Sequence, residues 1–198
     1  TFPLTLLLIT LLSTCALAQK EIMEKAPLSR ELNMDMAQTT TNTVKINGKA
    51  VPYEVTIGVQ PVYNAKSEVT AGLHYTYYVR TDVTDPNRPL LISFNGGPGS
   101  GSVWMHLAYT GPKVLNIDEE GFPVQPYGVS DNPYSVLDVA DIVYVNPVNT
   151  GFSRMVEGAD REQFFGVNQD VTYLADWLSN FVSRNNRWRS PKFLIGES

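Results

Sequence analysis

The sequence predicts an α/β fold in which a largely parallel sheet carries helices and an antiparallel hairpin comes first. Three observations predict it. Pro89 to Phe94 and Ile142 to Val145 are short apolar runs without alternation, as strands buried on both faces of a parallel sheet require. Phe164, Val167, Val171, Leu174, Leu178 and Phe181 recur every three or four residues, the period of a helix that lays one face on such a sheet. Between Val44 and Arg80 apolar and polar residues alternate, the period of antiparallel strands.

In chain order, residues 1–18 read as a secretory signal peptide: the apolar run Leu4 to Leu12, then Ala16-Leu17-Ala18 as a small-residue cleavage site. No basic n-region or initiator Met precedes it, so the N-terminus reads as trimmed. The run is short for a membrane span and polar sequence follows, so no stable membrane insertion is expected. Cys15 is the only cysteine; Leu12-Ser13-Thr14-Cys15 partly fits a lipoprotein box, and cleavage after Ala18 instead leaves a thiol-free chain without disulfides. That suits a secreted or periplasmic bacterial protein. Cysteine ligation of a metal is excluded in that chain, and no metal or other cofactor is expected.

Residues 19–43 are polar and without period, and read as a flexible mature N-terminus. From Val44 the pattern becomes β: Asn47-Gly48 supplies a type I′ turn, and Val51, Tyr53, Val55, Ile57 and Val59 alternate after it. Leu73, Tyr75, Tyr77 and Val79 alternate with His74, Thr76, Tyr78 and Arg80, which places His74 on the solvent side. Asp82 to Pro89 is a turn. Ser102 to Tyr109 is predicted as a short helix stopped by Gly111-Pro112, Val114 to Ile117 as a strand, and Phe193 to Ile195 as the strand after the long helix. Residues 44–198 are therefore taken as one domain, without internal repeats.

Charge excludes one class of partner. Fifteen Lys and Arg against twenty Asp and Glu leave the chain mildly acidic, with its basic residues scattered, so no nucleic acid is expected. The cluster Arg184, Arg187, Arg189 and Lys192 falls at a predicted helix end, where the dipole favours cations.

Two motifs carry chemistry. Phe94-Asn95-Gly96-Gly97-Pro98-Gly99-Ser100-Gly101-Ser102 follows a strand and has four glycines between positions 96 and 101. So many glycines carry an entropic cost, which close backbone approach to an anion would offset. A nucleotide loop is disfavoured because no Lys-Ser/Thr follows and the Gly-x-Gly-x-x-Gly spacing fails; a purely structural turn stays open. Gly196-Glu197-Ser198, directly after a strand, is the first half of a nucleophile elbow, whose sharp turn lifts the serine hydroxyl above the sheet.

Taken with Gly111-Pro112 and Asn146-Pro147-Val148-Asn149-Thr150-Gly151-Phe152-Ser153, these segments resemble the serine carboxypeptidases, peptidase family S10, over roughly Gly72 to Ser198. The secreted bacterial branch is the nearest in pattern. The resemblance implies the α/β-hydrolase fold, with residues 44–198 forming its N-terminal part. It also implies hydrolysis of the C-terminal peptide bond through a serine nucleophile and an acyl-enzyme. By it Ser198 matches the nucleophile and Gly97 the glycine whose N–H serves the oxyanion hole. Asn95, Gly96 and Glu197 match the groups that hold the substrate's free C-terminal carboxylate. A glutamate hydrogen-bonds a carboxylate only if a proton is shared, so activity is expected to be favoured by acid.

Three departures from the family pattern stand out: Ser100 where eukaryotic members carry a cysteine, Tyr109 where a glutamate is usual, and Asn146 and Asn149 where Asp and Gly are common. In this fold the triad's Asp and His follow the serine, so neither His74 nor His106 matches the base; His106 reads as a structural neighbour of the loop. A protein of these 198 residues alone is expected to be inactive and to expose an apolar strand edge. An esterase or acyltransferase on the same scaffold, and a non-enzymatic secreted β-rich binding module, are the alternatives. Residue preference and oligomeric state are not written in the sequence.

Overall fold

The computed structural model describes residues 33–197. The signal peptide, Cys15, most of the segment 19–43 and the nucleophile assignment at Ser198 lie outside the described residues.

The alternation from Val44 to Val59 forms the predicted hairpin. Strand β1 (Met36–Ile46) pairs antiparallel with β2 (Lys49–Tyr63), Ile46 opposite Lys49, around Asn47 at φ 47° and Gly48 at φ 79°. Positive φ at both turn residues is the type I′ geometry, which Asn and Gly tolerate. Residues 36–43, predicted as part of a flexible N-terminus, belong instead to β1. Their side chains are all exposed, so no apolar alternation marked them. Backbone pairing to β2 carries this stretch, with cross-strand help from Thr39 Oγ1 and Thr56 Oγ1 at 2.7 Å.

The hairpin leads directly into the main sheet. Strand β3 (Val69–Arg80) lies beside β2, followed across the sheet by β7 (Asp141–Val145), β4 (Leu90–Asn95) and β9 (Lys192–Glu197). The β2–β3 and β3–β7 pairs are antiparallel, whereas β7, β4 and β9 run parallel. Between β4 and β7 the chain makes a π-helical turn over Met105–Thr110 and a two-stranded ribbon of β5 (Lys113–Leu115) and β6 (Val129–Asp131). A two-residue strand, β8 (Arg154–Met155), adds to β3. The helix α1 (Val167–Arg184) then crosses back to β9.

Two cores explain the strands. On one face Leu73, Tyr75, Tyr77, Leu90, Ile92, Val143 and Val145 receive Tyr173, Trp177 and Phe181 of α1; on the other Val44, Ile46, Tyr78, Leu91, Ile142 and Tyr144 pack with Met105 and Leu137. The predicted helix stripe is corrected on its N-terminal side. Phe164 is buried but precedes the helix, while Val167 and Val171 are exposed at 83% and 64%. The inward face is the aromatic row Tyr173, Trp177, Phe181, stepping by four. Trp177 stacks on Phe181, and Trp177 and Gln60 exchange side-chain-to-carbonyl hydrogen bonds that fasten α1 to β2. Aromatic burial of this size outweighs the two valines.

Within the basic cluster Arg184 lies in the last turn of α1, as the dipole reading expects, whereas Arg187 departs from it. Arg187 turns inward, donating to Asp141 Oδ2 at 2.5 Å, to the Tyr77 hydroxyl and to the Arg88 carbonyl, while Arg88 Nε donates to Asp141 Oδ1 at 2.9 Å. Asp141 is 2% exposed, so the pair of guanidiniums is what makes its burial tolerable. Arg184 makes a bidentate pair with Asp35, and Lys192 bonds the Trp188 carbonyl.

No helix among the described residues is long and apolar enough to cross a membrane.

Candidate functional site

The site forms where β4, β7 and β9 end together. Parallel strands deliver their carboxyl ends to one rim of the sheet, where α/β folds place ligands. Here that rim holds Asn95, Asn146 and Glu197.

Asn95, 3% exposed, closes β4, and Glu197 closes β9 directly beside it in the ladder. Asn95 Nδ2 donates to Glu197 Oε2 at 2.8 Å. Its Oδ1 accepts the Met105 N–H at 3.0 Å, which fixes the amide's orientation, and its own N–H donates to Ser102 Oγ. The carboxylate of Glu197 is thus held by a buried amide while the residue itself stays exposed.

The glycine loop leaves from Asn95. Gly97 has φ 134° and Gly99 φ 106°, and a Cβ on Gly97 would fall 2.9 Å from the Gly99 nitrogen. Only glycine fits at Gly97, both for its backbone angle and for the tightness of the turn. The Gly97–Pro98 peptide is cis, and Ser100 N–H closes on the Gly96 carbonyl at 3.3 Å.

Beyond the loop, Ser102 is anchored three ways: its N–H to Asn146 Oδ1 at 2.8 Å, its hydroxyl to the Val145 carbonyl, and its oxygen to the Asn95 N–H. Asn146 is anchored in turn. Its Nδ2 lies 3.2 Å from His74 Nδ1, its N–H donates to the His74 carbonyl, and its carbonyl accepts Ser153 Oγ–H at 2.6 Å. Gly151 lies so close that a Cβ there would meet Asn146 Nδ2 at 2.4 Å, and one on Gly101 would meet Gly151 at 3.1 Å.

His74 was expected on the solvent side; it is half-buried at this junction, with its ring 5.3 Å from Phe152. Alternation misplaced it because the middle of β3 is covered on both faces, Thr76 and Tyr78 beside it being buried too. Burial holds its pKa below the ordinary histidine value. His106 stacks on Tyr144 at 4.5 Å and shares a 2.6 Å hydrogen bond with the Tyr78 hydroxyl. Burial, with a smaller contribution from His74, lowers its pKa to about 4. Tyr109, where the family pattern has a glutamate, is 58% exposed on the same helical turn.

Of the predicted site residues, the structure brings Asn95, Gly96, Gly97 and Glu197 to one rim, and Ser198 lies outside the described residues. Ser102, Asn146 and His74 had no assigned role. Ser102 and Asn146 sat within the quoted motifs, but the bonds that join Ser102 to Asn146 and Asn146 to His74 span 44 and 72 positions, so no spacing could pair them. Among the described residues no group of three or more His, Cys, Asp or Glu could hold a metal ion.

Residues 61–198 match the family model described as serine carboxypeptidase. The chain is 29% identical over 130 residues to serine carboxypeptidase-like 19 of Arabidopsis thaliana, covering 63% of this chain and 26% of that protein. It is 26% identical over 146 residues to serine carboxypeptidase S10 family member 1 of Dictyostelium discoideum, covering 72% of this chain and 32% of the relative. Serine carboxypeptidase-like 36 of Arabidopsis thaliana is 29% identical over 139 residues, 69% of this chain and 27% of its own length. The chain thus spans about a quarter to a third of the length of these relatives.

Proposed function

Because the chain belongs to the serine carboxypeptidase family, peptidase S10, we propose that the protein is a serine-type carboxypeptidase that removes residues from peptides with a free C-terminal carboxylate. The observation that carries this reading is the Asn95–Glu197 hydrogen bond at 2.8 Å. A neutral amide donor beside a carboxylic acid is the pair of groups that can receive a substrate carboxylate, the amide by donating and the acid by sharing a proton. In the proposed reaction Ser198 Oγ attacks the carbonyl of the last peptide bond, and its proton passes to the base. The oxyanion that forms accepts from the Gly97 N–H, the C–N bond breaks, and the C-terminal amino acid leaves protonated. Water then hydrolyses the acyl-enzyme by the same path. Since this fold places the triad's acid and base after the nucleophile, His74 and His106 are assigned to the structure of the loop.

The test uses the full-length protein with an N-blocked dipeptide, its C-terminal amide and its ester. Cleavage of the free acid, poor cleavage of the amide, activity rising from pH 8 towards pH 4, and loss of activity on Ser198→Ala are expected. Hydrolysis of the ester with no response to a free carboxylate, or a flat pH profile, favours the esterase reading and overturns this one. Export through residues 1–18 is part of the proposal, checked by a mature N-terminus at Gln19.

A further inference from the structure

The donors around Asn146 define its side chain without ambiguity. Ser102 N–H is a fixed backbone donor, so the atom 2.8 Å from it must be the acceptor Oδ1. The atom facing His74 Nδ1 at 3.2 Å is then the amide NH₂. A donor facing Nδ1 requires that nitrogen to be bare, so His74 is neutral with its proton on Nε2.

From this geometry we propose that Asn146 and neutral His74 form a clamp that positions the glycine-rich loop, acting through Ser102. His74 holds Asn146 on three sides: imidazole to amide, carbonyl to N–H, and its own N–H to the Ser153 hydroxyl that binds the Asn146 carbonyl. Asn146 holds Ser102, and Ser102 holds the Asn95 backbone where the loop begins. Gly151 has no side chain because the amide fills that space, and Gly101 none because the Gly151 backbone lies against it. Neither residue is among those assigned to the substrate carboxylate or the oxyanion; each is a positioning residue.

Protonating His74 at Nδ1 would set two donors against each other, so the clamp works with a neutral ring. Burial already disfavours the charged form. The ring lies 5.3 Å from that of Phe152, Val59 is the ladder partner of His74 on β2, and Arg154 on β8 turns its guanidinium to the Gly151 and Ser153 carbonyls. His106 is the titratable group whose charge is coupled to His74.

Asn146→Asp separates clamp from packing, since it keeps an acceptor for Ser102 and replaces the NH₂ by a carboxylate oxygen. The full-length protein with labelled histidines is titrated by NMR, His74 being assigned by loss of its signals in His74→Gln. In the native protein His74 is expected as the Nε2–H form, with a midpoint below the ordinary histidine value. In Asn146→Asp its midpoint rises above the ordinary histidine value, and its neutral form moves the proton to Nδ1 to donate to the new carboxylate, while KM stays within about twofold. Asn146→Ala, which loosens the loop at every pH, lowers kcat by about 10²-fold, the cost of displacing a catalytic group by roughly 1 Å. A native His74 carrying its proton on Nδ1, or an Asn146→Asp titration unchanged from native, overturns the clamp; if Asn146→Asp fails to fold, the native tautomer decides alone. The kinetic effects rest on the proposed carboxypeptidase reading. The titration needs no substrate, so a protein that cleaves no peptide refutes that reading without touching this one.

Discussion

Asn95 and Glu197 stand 102 positions apart in the chain, close neighbouring parallel strands, and share a hydrogen bond of 2.8 Å. The pair exists because β9 lies beside β4 in register, Asn95 opposite Glu197. Asn95→Leu keeps the side chain's bulk and removes both amide contacts. A hydrogen bond to a charged group contributes about 1.5–3 kcal/mol, so KM for a peptide with a free C-terminus is expected to rise about tenfold or more. The matching ester, which has no carboxylate to hold, should lose much less. Equal losses on both substrates would mean that Asn95 shapes the loop rather than reading the carboxylate.

Gly111 ends the π-helical turn with its Cα pressed on the backbone of His106. A Cβ there would lie 2.1 Å from the His106 carbonyl oxygen. Backbone cannot step aside as a side-chain tip can, so Gly111→Ala is expected to destabilise by about 1–3 kcal/mol, the usual cost of overpacking. Urea denaturation measures it. A melt and midpoint equal to native would show that the turn relaxes without strain.

Asp141, 2% exposed, joins Arg88 on one oxygen and Arg187 on the other. Asp141→Asn leaves two guanidiniums facing a neutral amide in a buried site. Removing one partner of a buried ion pair costs about 3–5 kcal/mol, and chemical denaturation of this variant should show a loss of that order. Arg187→Met should cost less, because Arg88 still pairs the carboxylate. A smaller loss for Asp141→Asn than for Arg187→Met would contradict the arrangement.

His106 is part-buried against Tyr144, and desolvation there lowers its pKa to about 4 from an ordinary 6.5. The unfolded chain therefore takes up a proton near pH 6.5 that the folded chain refuses until about pH 4. The sign follows: the contribution of the neutral ring is complete above pH 6.5, is lost as pH falls through that window, and amounts to roughly 3 kcal/mol. His106→Phe keeps a ring on Tyr144 and removes the titration. Its stability relative to native should improve on going from pH 7 to pH 4, whatever its stability at pH 7. A constant difference between the two proteins across that range would show that His106 is not held neutral.

Much of the fold was legible because short-range pattern carries it. Asn47-Gly48 between alternating strands requires a type I′ hairpin, and the unbroken apolar runs around Ile92 and Val143 require strands covered on both faces. What misled was exposure. Val167 and Val171 continue a helical period yet face outward, because Tyr173, Trp177 and Phe181 bury more area on the sheet. His74 obeys a two-residue period yet is half-buried, because β3 is covered on both sides.

By itself the sequence determined the glycine-rich loop after a strand, the Gly-x-Ser after another, and the family to which both belong. These are local features, written in adjacent residues whose backbone angles admit few alternatives. Only the tertiary structure decided that Asn95 meets Glu197, that Asn146 faces His74 with its NH₂, and that Arg187 turns inward to Asp141. Each is a pair drawn from strands and turns far apart in sequence, and such pairs depend on strand order and register, which no local period encodes.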